Sequence, residues 1–442
     1  MTAGLAHRLS IPALLAIVLL GCAETPTTTA QTPAKAAFDA ARIAKGAQLS
    51  AIGDCRVCHT AEGGRAFAGG RALPTPFGTI HSTNITPDDE TGIGRYTIDE
   101  FRRALHEGVA RDGHRLYPVF PYDHFTRVND GDVDALYAFV MTREPVKARP
   151  PPNRVAFPAS MRPLLAAWNW LFLDDRRFTP DPAQTPEWNR GAYLVEGLAH
   201  CGACHTPRNA MGAEKKDARF AGGEAEGWQA PGLLAFSPAP IEWTPDRLFR
   251  YLRDGFDREH GLAAGPMAPV VDGLASVPEA DVRAIVTYLA SLPQRERPLS
   301  AEATIAAAAQ REFGPIAQHA PDRATEAGAR AARNEDAGEV IFEGACATCH
   351  FAGVAPPDPK PVPLALSTAV NATTPRNALR IVVEGLHPRA GEPGAIMPGF
   401  GGALTDAQIV AVVEYMRARF SDAPSWTDVA ATLSGIETEN AP

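Results

Sequence analysis

Six of the seven cysteines in this chain fall in three pentapeptides of one pattern. They are Cys55-Arg56-Val57-Cys58-His59, Cys201-Gly202-Ala203-Cys204-His205 and Cys346-Ala347-Thr348-Cys349-His350. Each puts two thiols three residues apart and an imidazole directly after the second. That spacing suits covalent haem. The thiols add across the two vinyl groups as thioethers, and the histidine reaches the iron from the proximal side. A zinc site would need a second pair of ligands nearby, and no unit has one. A redox-active pair would not need a histidine after it three times over. The pattern therefore predicts three covalently attached haem c groups, on Cys55, Cys58, Cys201, Cys204, Cys346 and Cys349. The proximal iron ligands are then His59, His205 and His350.

The sixth iron ligand is expected on the loop before the last helix of each unit. Gly265-Pro266-Met267-Ala268-Pro269 lies there in the second unit and Ile396-Met397-Pro398-Gly399-Phe400 in the third. Prolines beside a methionine suit a rigid ligand loop better than a core helix, so Met267 and Met397 are the expected thioether ligands. The first unit breaks the pattern. Its loop, from Leu116 to His124, carries Phe120 where a methionine is expected, and phenylalanine cannot bind iron. Either that iron has no protein ligand on its distal side or a histidine supplies one. His124 is the first candidate, followed by His114, His106 and His81; Met141 lies within the last helix.

The elements that must position these groups repeat with them, near every 145 residues. Each pentapeptide follows a short amphipathic stretch with a glycine about two turns upstream: Gly46, Gly191 and Gly338. Each is followed by a Gly/Pro-rich loop and then a helical pattern near Thr97, Thr244 or Thr374-Pro375, with Thr97 and Thr244 as N-caps. A closing helix follows, over Asp132 to Met141, Asp281 to Leu289 and Ala407 to Met416. It places Phe139, Tyr288 and Tyr415 at one equivalent position. The first two units also share Phe67-Ala68-Gly69-Gly70 and Phe220-Ala221-Gly222-Gly223, which the third lacks. An apolar piece, Pro163 to Phe172, lies in the first Pro-rich connector; it is expected to pack against the two units or to dock a partner or membrane. The Ala-rich stretch from Ala301 to Asn334 reads as a helical linker.

The chain has 442 residues, 45% hydrophobic and 21% charged, with 40 prolines and a net charge of -9. No basic face dominates, which argues against nucleic acid. Arg8 and the apolar run Ile11 to Leu20 read as an export signal too short to span a bilayer comfortably. Leu19-Leu20-Gly21-Cys22 resembles a lipobox, with Cys22 lipidated and first in the mature chain. No later segment is apolar enough to span a membrane. No cysteine is left for a disulfide scaffold. No triad, phosphate loop or paired catalytic carboxylates appears, so no substrate chemistry of its own is expected. A peroxidase-like haem, with an open distal site at Phe120, is the alternative of another class.

From about Arg42 to Arg419 the chain resembles the triple-haem cytochrome c subunits of bacterial membrane-bound dehydrogenases. The resemblance rests on Phe77 to Asp88 (FGTIHSTNITPD), Thr91-Gly92-Ile93-Gly94, Leu116-Tyr117-Pro118, Arg190 to Leu194 and Cys204 to Asn209. Quinoprotein alcohol dehydrogenases and flavin-dependent gluconate dehydrogenases have such subunits. A tyrosine is usual in the family where His81 stands, and in the alcohol dehydrogenase group a methionine where Phe120 stands. Phe120 together with Asn153 to Pro158 (NRVAFP) looks more like the cytochrome subunits of molybdenum hydroxylases, which oxidise nicotinate, isoquinoline-type heterocycles or aldehydes.

The resemblance implies a mainly α chain of three tandem class I-like cytochrome c domains joined by Pro/Ala-rich linkers. The expected divisions are a signal peptide (1–21), a flexible tether (22–38), domain 1 (39–148), a connector (149–185), domain 2 (186–296), a linker (297–332), domain 3 (333–420) and a tail (421–442). It further implies electron transfer from a catalytic dehydrogenase partner to ubiquinone or a terminal oxidase. The expected place is the periplasmic side of a bacterial membrane, held by the lipid anchor.

Overall fold

The glycine two turns before each pentapeptide has a structural cause. In the computed structural model, which describes residues 38–313, 337–350, 363–387 and 397–440, Gly46 lies in the helix Ala40–Ile52 and Gly191 in Pro186–Tyr193. Gly338 lies in the helical residues 337–341. Each faces a closing helix: Asp130–Met141, Glu279–Ala290 or Asp406–Phe420. A Cβ on these glycines would collide with the carbonyl oxygen of Ala135, Ala284 or Ala411. It would also press on the Cβ of Phe139, Tyr288 or Tyr415. The helices thus cross backbone to backbone, an approach that only a residue without a side chain permits. The same crossing occurs in all three copies, and the three aromatic residues do occupy one position.

Between the two helices of each crossing runs a third, with its ends fixed by sequence. Thr97 closes a capping box with Glu100 at the start of Ile98–Glu107. The Thr244 side chain accepts from the Arg247 N–H at the start of Pro245–Asp254. The equivalent third helix is Arg376–Glu384. Gly108, Gly255 and Gly385 end these helices with φ of 64°, 77° and 81°, the left-handed region that favours glycine.

Short strands lie outside the helices. β1 (Ala72–Thr75) pairs antiparallel with β2 (Gly78–His81), Ala72 opposite His81. The connector adds β3 (Arg154–Val155) along the other edge of β2. In the second copy β4 (Gly223–Ala225) pairs antiparallel with β5 (Trp228–Ala230), Gly223 opposite Ala230.

The described residues from Asp39 onward belong to one unit, but its apolar interior is in two main parts. Leu49, Ile52, Val128 and Val133 of the first copy join Leu194, Leu198, Leu274 and Ile285 of the second in one core. Phe342, Leu379, Val412, Tyr415 and Phe420 of the third form another, which also takes in Ile241 from the second copy.

One expectation about the end of the third copy needs correction. The stretch after residue 420, expected as a tail, carries packed structure: Val429–Asn440 is a helix whose Val429, Leu433 and Ile436 are buried in the third core. Their spacing of four and then three residues puts them on one face. The stretch expected as a helical linker does begin as a helix, Ala301–Phe313, with Ala308 buried in the same core; its remainder to residue 336 lies outside the described residues.

The connector helix Leu164–Phe172 packs inward, against both flanking copies. Asn169 accepts from the Tyr122 hydroxyl (2.7 Å) and donates to Glu107 O (2.9 Å), while the Trp168 indole donates to Met211 O (3.0 Å). Its outer face, with Leu164, Trp170 and Leu171, is exposed, Trp170 by 83%. No helix among the described residues is long and apolar enough to cross a membrane. Cys22 and the export signal lie outside the described residues.

Candidate haem sites

Each pentapeptide forms a single helical turn. The His59 N–H donates to Cys55 O (3.0 Å) and the His205 N–H to Cys201 O (3.1 Å); Ala347–His350 is helical as well. One turn puts residues i, i+3 and i+4 on the same face, so both sulphurs and the imidazole of each copy face one way. In the second and third copies a π-helical turn, Leu194–Leu198 or Phe342–Cys346, precedes or enters the motif, a distortion frequent at functional sites.

The imidazoles are held by their far nitrogen. His59 Nδ1 donates to Thr83 O (2.6 Å) and His205 Nδ1 to Pro231 O (2.8 Å). A proton on Nδ1 leaves Nε2 with its lone pair, the form that binds a metal. Burial holds the imidazoles of His59, His205 and His350 below the usual histidine pKa, which favours the neutral ring. His350 Nδ1 is buried without a hydrogen-bond partner among the described residues.

The sulphur environment points the same way. Burial pushes the Cys55, Cys204 and Cys346 thiols up to about 11 and those of Cys58 and Cys201 up to about 12. Zinc ligation and thiol exchange both use the thiolate, which these surroundings disfavour. A thioether carries no charge and suits them. The six described cysteines form no disulfide. The donor set and its orientation therefore fit covalent haem.

The glycines that end the middle helices stand at one distance from the three residues expected at the distal position. Phe120 is twelve residues after Gly108, Met267 twelve after Gly255 and Met397 twelve after Gly385. Backbone bonding repeats with that count. The Leu116 N–H donates to Gly108 O (2.7 Å) and the Ala263 N–H to Gly255 O (2.8 Å). The Phe120 N–H donates to Tyr117 O (3.0 Å) and the Met267 N–H to Ala264 O (3.2 Å). In the third copy Met397 exchanges both backbone bonds with Leu386. Counting back to the last helix gives three unequal distances, whereas counting forward from the capping glycine gives one. That signal lies in the sequence itself.

At the first distal position Phe120 packs on Phe125, with ring centroids 5.3 Å apart. His124 is placed elsewhere. Its Nδ1 meets Glu196 O (2.9 Å) and its Nε2 meets the Glu214 carboxylate (2.7 Å). Its ring lies against Gly202, inside the second pentapeptide. With both nitrogens engaged by residues of the second copy, neither is free to serve as an iron ligand for the first, which corrects the expectation for His124. The short helix Tyr122–Phe125 turns the side chain toward the second copy. His106 is also fully used, with Nε2 on Val128 O (3.0 Å) and Nδ1 on Arg177 (2.6 Å). His114 pairs through Nδ1 with Asp112, and His81 lies on β2, two residues from the Thr83 that holds His59 from behind.

Sequence reasoning misses Asp54, which precedes Cys55 in a left-handed conformation (φ 51°) and is buried. Burial, with repulsion from Asp272, pushes its carboxyl up to about 7.

Comparison with known proteins defines the class. The family model described as cytochrome c oxidase, cbb3-type, subunit III matches residues 333–416. The chain is 35% identical over 427 residues to the fructose dehydrogenase cytochrome subunit of Gluconobacter japonicus, covering 94% of this chain and 86% of that one. It is 35% identical over 434 residues to the alcohol dehydrogenase (quinone) cytochrome c subunit of Gluconacetobacter polyoxogenes, covering 94% and 88%. It is 44% identical over 426 residues to a nicotinate dehydrogenase subunit of Pseudomonas putida, covering 96% of this chain but only 34% of that longer one. The chain spans about a third of the length of that relative. This chain belongs to the family of cytochrome c subunits of dehydrogenases.

Proposed function

We propose that the chain is a relay of three haems, one on each Cys-x-x-Cys-His turn, that carries electrons away from a periplasmic dehydrogenase. The observation that carries this is the threefold recurrence of one arrangement. In each copy a glycine-mediated helix crossing precedes the attachment turn, and the distal position falls twelve residues after a capping glycine. Bound haem supplies one-electron chemistry at its iron. The residues do the rest: the cysteine pairs fix the group, and His59, His205 and His350 present Nε2. Met267 and Met397 offer thioethers that favour the ferrous state. The three copies correspond to three cytochrome c domains, at 39–148, 186–296 and 333–420, the last extended by the packed helix Val429–Asn440.

The favoured partner is a molybdenum hydroxylase. The higher identity to the nicotinate dehydrogenase subunit than to the sugar and alcohol dehydrogenase subunits supports this, as do Phe120 and Asn153 to Pro158. Asn153 accepts from the His81 N–H (2.8 Å) and Arg154–Val155 forms β3, so this string sits beside the first attachment site. A quinoprotein alcohol dehydrogenase or flavin-dependent gluconate dehydrogenase is the alternative. Electrons then leave to ubiquinone or a terminal oxidase, with Cys22 lipidated and holding the chain to the membrane. Phe120 favours one secondary reading, a first iron open on its distal side and able to bind small ligands.

The test is mass spectrometry of protein matured with full haem-attachment machinery, joined to a redox titration of Met267→His and Met397→His. Three haems are expected, and each variant should lower one potential, since a second imidazole stabilises ferric iron relative to a thioether. Two haems or fewer, or an unchanged titration in both variants, would overturn the assignment.

A further inference from the structure

One short hairpin touches all three copies. Its strands are β4 and β5, and its turn is Glu226-Gly227, with φ of 50° and 75°. At its root it lies on the second attachment turn. The Gly222 N–H donates to His205 O (2.8 Å), and a Cβ on Gly223 would collide with Cys204 O. At its tip the Glu226 carboxylate accepts from Arg71 Nη2 (2.5 Å), across to the first copy. The other terminal nitrogen of Arg71 donates to Val57 O (3.2 Å), inside the first attachment turn. Next to Glu226, Gly227 O accepts from Arg380 Nε (2.7 Å) and Arg376 (2.9 Å) of the third copy.

The Arg71–Glu226 pair is therefore built between two attachment turns and fixed to both by backbone contacts. A ferric haem carries one more positive charge than a ferrous one, so a nearby carboxylate stabilises the oxidised form and a guanidinium opposes it. The Glu226 charge reaches the Cys58 and Cys204 sulphurs, and the Arg71 charge reaches Cys58.

We propose that Arg71 and Glu226 are positioning residues for electron transfer between the first and second haems, holding the two attachment turns together and setting both potentials against the third. This rests on the haem reading above. No titration of either group is involved: the pair acts through its fixed charges.

The experiment uses the full-length holoprotein. Glu226→Gln keeps an oxygen that can accept from Arg71 but removes the negative charge. A spectroelectrochemical titration should show two of the three midpoint potentials raised and one unchanged. Arg71→Gln should lower the potential of the first haem, and the double variant should lie between the two single ones. Glu226→Asp, which keeps the charge, should restore the wild-type titration. Unchanged potentials in Glu226→Gln, or an equal shift of all three, would overturn the proposal. Haem content measured by mass on the same samples separates the two readings. Haem missing from Cys55/Cys58 or Cys201/Cys204 in the wild type defeats the haem assignment, and full occupancy with unshifted potentials defeats only the role of the pair.

Discussion

The second copy meets its two neighbours through surfaces of different chemistry. Toward the first copy the contact is largely apolar. Leu198 packs over Gly53, leaving only 3.0 Å from its Cδ1 to where a Cβ would stand, and the shared core runs without a break from Leu49 to Leu289. Toward the third copy the contact is largely polar. Asn377 exchanges two hydrogen bonds with the Gln229 backbone, and Arg376 and Arg380, themselves held by Glu439 of the third copy's own last helix, donate to Gly227 O. Apolar burial is non-directional and adds with area, about 25 cal/mol per Å². A polar clasp contributes only in the right geometry and is costly when half broken. The first two copies are therefore expected to unfold together, and the third to come away from them more easily.

The largest expected effect breaks the welded half. Gly191→Ala drives a methyl group into the Ala284 carbonyl, and neither helix can retreat without opening the shared core. A loss of more than about 4 kcal/mol is expected, seen as loss of the soluble holoprotein or a collapsed unfolding midpoint. The matching Gly338→Ala should unfold the third copy while the first two keep their transition. If Gly338→Ala also melts the first two copies, the contrast between weld and dock is wrong.

A smaller effect is expected from breaking the dock. Arg380 is 4% exposed and serves Gly227, Glu384 and Glu439 together. Both carboxylates are partly in water, so Arg380→Ala should cost about 2 kcal/mol, below the value for a fully buried pair. Limited proteolysis should then release the third copy first. Release of the third copy at the wild-type rate would show that the clasp is not what holds it in place.

The smallest expected effect sharpens the comparison within the weld. Asp54 is buried where the first attachment turn meets Asp272 of the second copy, with its carboxyl pushed up from 3.8 to about 7. The folded form holds its proton where the unfolded chain has released it, so stability falls as pH rises from about 4 to about 7. The potential of the haem beside it should fall as pH rises through about 7, because the new carboxylate stabilises ferric iron. Asp54→Asn should flatten both dependences. A pH-dependent first potential that survives in Asp54→Asn would assign the coupling to another group.

Much of the site was readable from local chemistry. Three Cys-x-x-Cys-His strings, the N-caps Thr97 and Thr244, the glycines Gly46, Gly191 and Gly338, and the aromatic register Phe139–Tyr288–Tyr415 all follow from residues close in sequence. Chain spacing and side-chain type alone decide them. The distal register was also encoded, as twelve residues from each capping glycine, though the variable loops before the last helices obscure it. The helix Val429–Asn440 showed its apolar stripe but was easily taken for a tail after the last aromatic landmark.

What the sequence could not decide depends on contacts between residues far apart in the chain. His124 stands four residues after Phe120, as a spare ligand might, but Glu196 and Glu214 claim both of its nitrogens. Asp54 looks like an ordinary surface carboxylate until Asp272 and the second core cover it. Arg71 and Glu226 are separated by 155 positions and acquire a common role only when two attachment turns are brought side by side. By itself the sequence determined the attachment chemistry and the recurring helical scaffold, because those rest on local spacing. Only the tertiary structure decided which copies share a core and which charges lie beside which attachment turn, because burial and pairing depend on what the rest of the chain places there.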